Sequence, residues 1–227
     1  VQVTLDTPDW WLELHPDVKN SFSHLGQTMF SEEWKHDAAE YLKTFIAYAE
    51  EKYGDRIYAY SFTAGWCTEF FCNDFGVPND KKLLAYKEYR GNQEIRVPDA
   101  PKDFIVGTDC FRAKSSEEYK YLEWSTNLLP ELINFFGAEA QKVIKHNKLL
   151  GIFLGYTDMS CPSQNLWLTN AFEETWKSPH FDMIFSPQSV SLHRIFFDGI
   201  RMIHQPGNCR RQFLHTVDIG LIIIVDN

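Results

Sequence analysis

The apolar and polar positions along this chain predict a series of short strands. Residues 56–63 are apolar and aromatic on both faces, which is typical of a parallel strand that is buried on both sides. Similar apolar runs recur along the chain. The predicted strands are residues 1–6, 56–63, 149–156, 181–187 and 212–218, and residues 221–227 form one more apolar run.

Helices are predicted between these strands, at residues 31–54, 80–90, 115–147 and 163–177. The first of them has apolar residues at helical spacing, acidic residues in its first turn and a glycine at its end. Ser115 and Glu118 match a capping box that opens the third helix, which Pro130 and Gly137 should kink or interrupt. The alternation of strands and helices predicts an α/β fold with a parallel sheet or barrel.

Composition fits one globular domain over residues 1–227, with 44% hydrophobic and 23% charged residues. The formal net charge of −9 argues against a nucleic-acid partner, because such binding depends on Lys and Arg. No apolar run reaches the roughly 20 residues of a membrane span, so no membrane partner is expected. The first residues lack the order of a signal peptide, which slightly favours a cytoplasmic location.

The cysteines and histidines show no spacing typical of a metal site. No C-x-x-C pair and no H-x-x-x-H pattern occurs, and no Gly-rich phosphate loop is visible. We therefore expect mostly free thiols, no metal and no cofactor. A homo-oligomer is compatible with the sequence. The five cysteines are Cys67, Cys72, Cys110, Cys161 and Cys209.

Aromatic and carboxylate residues follow the predicted strands, where a (β/α) barrel carries its active site. Aromatic rings stack on the apolar faces of pyranose sugars, and 15% of this chain is aromatic. The pattern therefore indicates sugar chemistry. The candidate residues are Trp10 and Trp11 in the loop after the first strand, then Trp66, Glu69, Phe70, Tyr156, His215, Thr216 and Asp218.

Glu69 is the candidate general acid. Glycoside hydrolysis needs one carboxylic acid to protonate the leaving oxygen and a second carboxylate to attack or to activate water. A rim of Trp66, Phe70 and Phe71 would disfavour the charged form of Glu69 and raise its pKa. A solvated loop carboxylate is the alternative interpretation.

In chain order the sequence contains TLDTPDWW, SEEWKHDAAEYLKTFIAYAEEKYGDRIYAYSFTAGWCTEFF, LLGIFLGY, FDMIFSPQSVS and FLHTVD. These segments resemble β-galactosidase-like glycoside hydrolases, near glycoside hydrolase family 42. The resemblance implies a (β/α)8 TIM-type barrel, of which strands three to seven are recognisable. It also implies that Glu69 is the acid/base of a retaining enzyme that cleaves terminal sugars from oligosaccharides.

The sequence departs from this family at the seventh strand. Relatives carry a pattern like H-E-x-D, whose Glu would be the nucleophile, whereas this chain has Thr216 at that position. A threonine hydroxyl cannot stabilise an oxocarbenium ion as a carboxylate does. Asp218 could replace the missing nucleophile only with a shifted strand register. A barrel that begins at the third strand would be incomplete, and a frameshift or splice near residues 205–227 would explain its unusual end.

Three interpretations follow from the sequence. A retaining hydrolase predicts Glu69 and a second carboxylate about 5 to 5.5 Å apart. A carbohydrate-binding remnant predicts sugar binding without turnover. A structural or interaction domain predicts a partner chain. Some single residues also have two interpretations. Trp10 and Trp11 are either a sugar platform or a closure of the barrel top. Tyr156 either forms a hydrogen bond to the sugar or nucleophile or caps a strand, and His215 is either a core or a catalytic residue.

Overall fold

The computed structural model describes residues 1–65, 70, 80–96, 114–154, 172–186, 211–214 and 221–225. Its strands are β1 (Gln2–Thr4), β2 (Ala59–Thr63), β3 (Leu149–Phe153), β4 (Met183–Ser186), β5 (Arg211–Leu214) and β6 (Leu221–Val225). Its α-helices are α1 (Asp9–Leu14), α2 (Ser21–Thr28), α3 (Glu32–Tyr53), α4 (Asp80–Arg90), α5 (Glu117–Ile144) and α6 (Phe172–Trp176). Each predicted strand therefore overlaps an observed one.

The strands form one sheet in the order β1-β2-β3-β4-β6-β5. Neighbours among β1 to β4 pair in parallel, with Thr4 opposite Thr63 and Gly151 opposite Met183. Strand β6 runs antiparallel to both β4 and β5, so β5 has the same direction as the first four strands. The result is an α/β fold with four parallel strands and a mixed edge.

The predicted TIM-type barrel is wrong for the described residues. A (β/α)8 barrel is closed and all of its strands are parallel. Here β1 and β5 lie at opposite edges of an open sheet, and the antiparallel β6 takes the position beside β4. The apolar stretch at residues 221–225 is the reason, because it pairs between β4 and β5 and ends the parallel run.

Helices α3 and α5 pack against one face of the sheet. Side chains alternate between the two faces of a strand, and the Phe62 ring meets the rings of Phe136 on α5 and Phe181 at centroid distances of 6.2 and 5.6 Å. The core lies between these helices and the sheet, and it includes Leu42, Ile46, Phe62, Leu129, Ile133, Phe136, Leu150 and Ile152. On the opposite face, Gln2 and Thr4 of β1 are exposed.

The two long helices begin at serine caps. Ser31 accepts a hydrogen bond from the Trp34 N–H at 3.2 Å, and Ser116 accepts one from the Tyr119 N–H at 3.2 Å. The capping residue of α5 is therefore one position after the predicted Ser115. Pro130 does not interrupt α5, which is continuous from Glu117 to Ile144. Burial of one face of α5 against the core offsets the unfavourable proline.

Gly137 is buried on α5 where the helix meets the residues before β4. A Cβ atom at this position would lie 2.7 Å from Cζ of Phe181 and 3.0 Å from Cβ of His180. Because Phe181 is itself 4% exposed and packed against Phe62, its ring has little room to move. This glycine lets the helix approach the sheet layer closely.

We predict that Gly137→Ala lowers the free energy of unfolding by about 1–3 kcal/mol, because the added methyl overpacks the contact with Phe181. The better helix propensity of alanine offsets part of this loss, by up to about 1 kcal/mol. Urea denaturation measures the change. In a Phe181→Leu background the same substitution should cost less, since the ring is gone. An equal or smaller loss in the wild-type background would contradict the overpacking.

Candidate functional site

The carboxyl ends of β1, β2 and β3 meet at one edge of the sheet, which we call the carboxyl edge. The Leu5 N–H donates to the Thr63 carbonyl at 2.7 Å, and the Phe70 N–H donates to the Phe153 carbonyl at 2.8 Å. Phe70 also forms an isolated parallel bridge with Leu154. In open α/β sheets, ligands bind beyond the carboxyl ends of the strands. This edge is therefore the candidate functional site.

Asp6, directly after β1, connects three segments at the carboxyl edge. Its Oδ1 accepts hydrogen bonds from the Gly65 N–H at 2.9 Å and from the Ser21 hydroxyl at 3.1 Å. Its Oδ2 accepts a hydrogen bond from the Thr4 hydroxyl at 2.8 Å. The carboxylate thus fixes the end of β2 and the start of α2 relative to β1.

A second pair of hydrogen bonds reinforces the same junction. The Thr7 N–H donates to the Ser21 hydroxyl at 2.9 Å, and the Ser21 N–H donates to the Thr7 hydroxyl at 3.0 Å. Both residues are buried, so each bond satisfies a backbone group that water cannot reach. Asn20 caps α2 by accepting from the Phe22 N–H at 2.9 Å. The segment between β1 and α2, which contains α1, is therefore held at both ends.

Gly65 and Phe70 bracket the segment that contains Glu69. Gly65 has a φ of 96°, a conformation that favours glycine, and its N–H is bound to Asp6. Phe70 is fully buried, and its ring packs against Phe62 at a centroid distance of 5.8 Å. Glu69 itself lies outside the described residues. Both flanking positions belong to the carboxyl edge.

Phe70, a predicted substrate-binding residue, is fully buried, and its ring packs against Phe62 in the core. Sequence reasoning put it on the rim, since an aromatic residue beside a candidate acid looks the same whether it faces a ligand or the core. The other predicted site residues after β2, β3 and β5 lie outside the described residues, and they are Trp66, Glu69, Tyr156, His215, Thr216 and Asp218.

The two tryptophans after β1 have different roles, and both lie on α1 where the sequence predicted a loop. Trp11 is 5% exposed, and its indole N–H donates to Asp37 Oδ2 at 2.8 Å. Its ring stacks on His15 at a centroid distance of 3.9 Å. Trp10 is 63% exposed. Trp11 therefore holds α1 against α3, while Trp10 has a free ring face for a ligand.

The contact with Trp11 is one cause of a lowered pKa of Asp37. The hydrogen bond with the His36 ring lowers the pKa of Asp37 most, and the Trp11 indole N–H lowers it further. Both donors stabilise the charged carboxylate. Asp37 is exposed, so its effect on stability is small.

The strand order gives the spacing between β2, which precedes Glu69 in the sequence, and β5, which precedes Asp218. Four strand spacings separate β2 from β5 in the observed order, which is about 19 Å along the sheet at about 4.8 Å per spacing. A retaining glycosidase needs its two carboxyl groups about 5 to 5.5 Å apart. Glu69 follows β2 and Asp218 follows β5 in the sequence, and both residues lie outside the described residues.

Sequence reasoning missed Asp6, Thr7 and Ser21 as residues that build the site. Asp6 ends the predicted first strand, and the aromatic residues after it are the predicted site residues. A carboxylate directly after an apolar strand was the available signal. The partner Ser21 lies 15 residues away, and no local pattern links the two positions.

Neither a metal centre nor a membrane span is found in the part of the chain that the structure describes. No group of three or more His, Cys, Asp or Glu side chains there could hold a metal ion. No helix among these residues combines the length and apolar character needed to cross a bilayer.

The described residues thus define an α/β protein whose carboxyl edge is held together by side-chain hydrogen bonds. No protein-family model matches the chain, and no curated protein matches it. The likeness to β-galactosidase-like hydrolases stays a prediction from the sequence segments quoted above.

We predict that Asp6→Ala lowers the free energy of unfolding by about 1–3 kcal/mol, because it leaves the buried Gly65 N–H and Ser21 hydroxyl without their acceptor. Amide exchange at Gly65 should also become faster. Chemical denaturation and hydrogen exchange measure the two effects. Glu13→Ala, which removes an exposed carboxylate on α1, is the matched control. Equal stability of the two variants would refute the structural role of Asp6.

We predict that Trp11→Phe raises the pKa of Asp37 towards its ordinary value of about 3.9, since one donor to the carboxylate is lost. The lowered pKa contributes stability that is present above the ordinary value and is lost as the pH falls below it. The variant should therefore lose less stability on acidification. NMR titration of Asp37 measures the pKa, and His36→Ala should raise it more. An unchanged pKa in Trp11→Phe would contradict the contact.

Proposed function

We propose that this chain is a carbohydrate-active protein, a β-galactosidase-like glycoside hydrolase that removes terminal sugars from oligosaccharides. Glu69 is the proposed general acid, which protonates the glycosidic oxygen of the leaving sugar. One observation carries the proposal: Gly65 and Phe70, on either side of Glu69, are both bound at the carboxyl edge of the parallel strands. This edge is where an α/β sheet binds ligands.

The surroundings of this edge suit a neutral sugar. Trp10 follows β1 and exposes 63% of its surface, so its ring is available to stack on a pyranose. The formal net charge of −9 does not favour an anionic ligand. Trp10 is the substrate-binding residue that the described structure supports best.

A retaining mechanism also needs a second carboxylate as the nucleophile. Asp6 is the described carboxylate that lies next to the end of β2, but both of its oxygens already accept hydrogen bonds from the protein. It therefore serves as a positioning residue. Asp218 falls between β5 and β6 in the sequence and lies outside the described residues, and Thr216 takes the place where the family carries its nucleophile.

These observations favour one alternative function, a carbohydrate-binding protein without turnover. The carboxyl edge and Trp10 would still bind a sugar, because binding needs stacking and hydrogen bonds but no nucleophile. The occupied oxygens of Asp6 and the threonine at position 216 are the specific observations behind this alternative.

We predict that the purified chain hydrolyses aryl β-galactosides and that Glu69→Gln lowers kcat by about 10²–10⁴-fold, the usual contribution of a general acid. The release of the aryl alcohol gives the rate directly. Glu88→Gln, which changes an exposed carboxylate on α4, is the matched control and should keep the wild-type rate. Asp218→Asn tests the second carboxylate in the same assay.

The outcomes separate the two functions. Loss of turnover in Glu69→Gln, with full activity in Glu88→Gln, supports the hydrolase. A folded chain that binds galactosides without hydrolysing them supports the binding protein. A Glu69→Gln variant that is as active as the wild type would rule out Glu69 as the acid.

A further inference from the structure

A cluster of aromatic rings joins α4 to the first turns of α5, and we call it the α4–α5 aromatic cluster. The Tyr86 ring meets the rings of Tyr121 and Trp124 at centroid distances of 4.9 and 5.0 Å. The Tyr89 ring lies 6.0 Å from the Trp124 ring with an interplanar angle of 30°.

Two rings of the cluster are buried and form its base, and the other two reach the surface. Tyr86 and Tyr121 are at most 1% exposed, so their rings are fixed by packing. Tyr89 exposes 64% of its surface, and Trp124 is half-buried. The exposed aromatic surface is therefore held by a rigid base, which reduces the entropy lost when a ligand stacks on it.

A charged pair lies at the rim of the same surface. Arg90 donates to both carboxylate oxygens of Glu117 and, at 2.9 Å, to the Tyr86 hydroxyl. The Arg90 and Glu117 side chains keep 22% and 39% of their surface exposed. Glu117 also accepts hydrogen bonds from Lys120 Nζ at 3.1 Å and from the Tyr86 hydroxyl at 3.4 Å, which fill its roughly four acceptor sites. A guanidinium has five N–H donors, so Arg90 keeps donors for a ligand.

The cluster lies at the same end of the sheet as the carboxyl edge. Helix α5 has 28 residues and is about 42 Å long, whereas the five residues of β3 span about 17 Å. Since α5 ends beside the start of β3, its first turns extend beyond the carboxyl edge. The Trp124 ring accordingly lies 6.4 Å from the ring of Phe30, which follows α2.

We propose that Tyr89 and Trp124 form a stacking surface for a pyranose ring of a neutral oligosaccharide, with Arg90 donating to its hydroxyl groups. An aromatic face covers the apolar C–H face of the sugar, and the guanidinium at the rim, held in place by Glu117, donates to the hydroxyls around it. The surface would hold a sugar unit remote from the one at the carboxyl edge. The inference rests on the proposed carbohydrate function, but it needs no catalytic step.

The test is the binding of β-linked galactotetraose to the full chain, measured by titration calorimetry in a Glu69→Gln background to exclude hydrolysis. Tyr89→Ala should weaken binding about tenfold, which corresponds to about 1.4 kcal/mol. Tyr89→Phe keeps the ring and should bind like the parent chain. Tyr48→Ala, the same change at a helix tyrosine that is 55% exposed on α3, is the matched control and should also leave binding unchanged.

Equal affinity of Tyr89→Ala and the parent chain would overturn the proposal, and so would a parent chain that does not bind the tetrasaccharide. Hydrolysis of an aryl β-galactoside, which has a single sugar ring, tests the proposed activity separately. A chain without hydrolysis whose tetrasaccharide binding depends on Tyr89 keeps the stacking surface and loses the hydrolase. Full hydrolysis with no effect of Tyr89→Ala on binding keeps the hydrolase and loses the stacking surface.

Discussion

The hydrogen bonds to the Asp6 carboxylate are the interaction on which the candidate site depends. They join the end of β1 to the end of β2 and to the start of α2, three segments that the chain itself connects only through long intervening stretches. A carboxylate is suited to this role because its two oxygens accept several hydrogen bonds at once. Without it, the Gly65 N–H would lose its acceptor at the end of β2.

Helix α5 links this edge to the rest of the molecule. Its second half packs on the sheet through Ile133 and Phe136, and Gly137 lets it approach Phe181 closely. Its first half extends past the sheet and carries Trp124. One continuous helix therefore connects the hydrophobic core with the aromatic cluster. Pro130 lies between these halves, and packing on the core side keeps the helix continuous there.

Local patterns predicted the elements well, and long-range pairing is where sequence reasoning failed. Apolar runs located the strands, because a buried strand needs apolar side chains whatever its neighbours are. The direction and place of residues 221–225 depended on partners far along the chain, so the barrel was a wrong prediction. Long-range contacts also decide the roles of Trp11 and Phe70. Their identity indicates an aromatic contact, but only the fold decides whether that contact is a sugar or Asp37 and Phe62.

The open sheet also changes what the family resemblance can imply. In a closed barrel, the ends of distant strands face each other across the axis, so carboxylates from separate strands converge without long loops. In an open sheet, distance along the edge grows with each strand, and β2 and β5 are separated by β3, β4 and β6. A retaining mechanism would then require a second carboxylate close to Glu69. Asp6 lies beside the end of β2, but its hydrogen bonds commit it to holding the edge together.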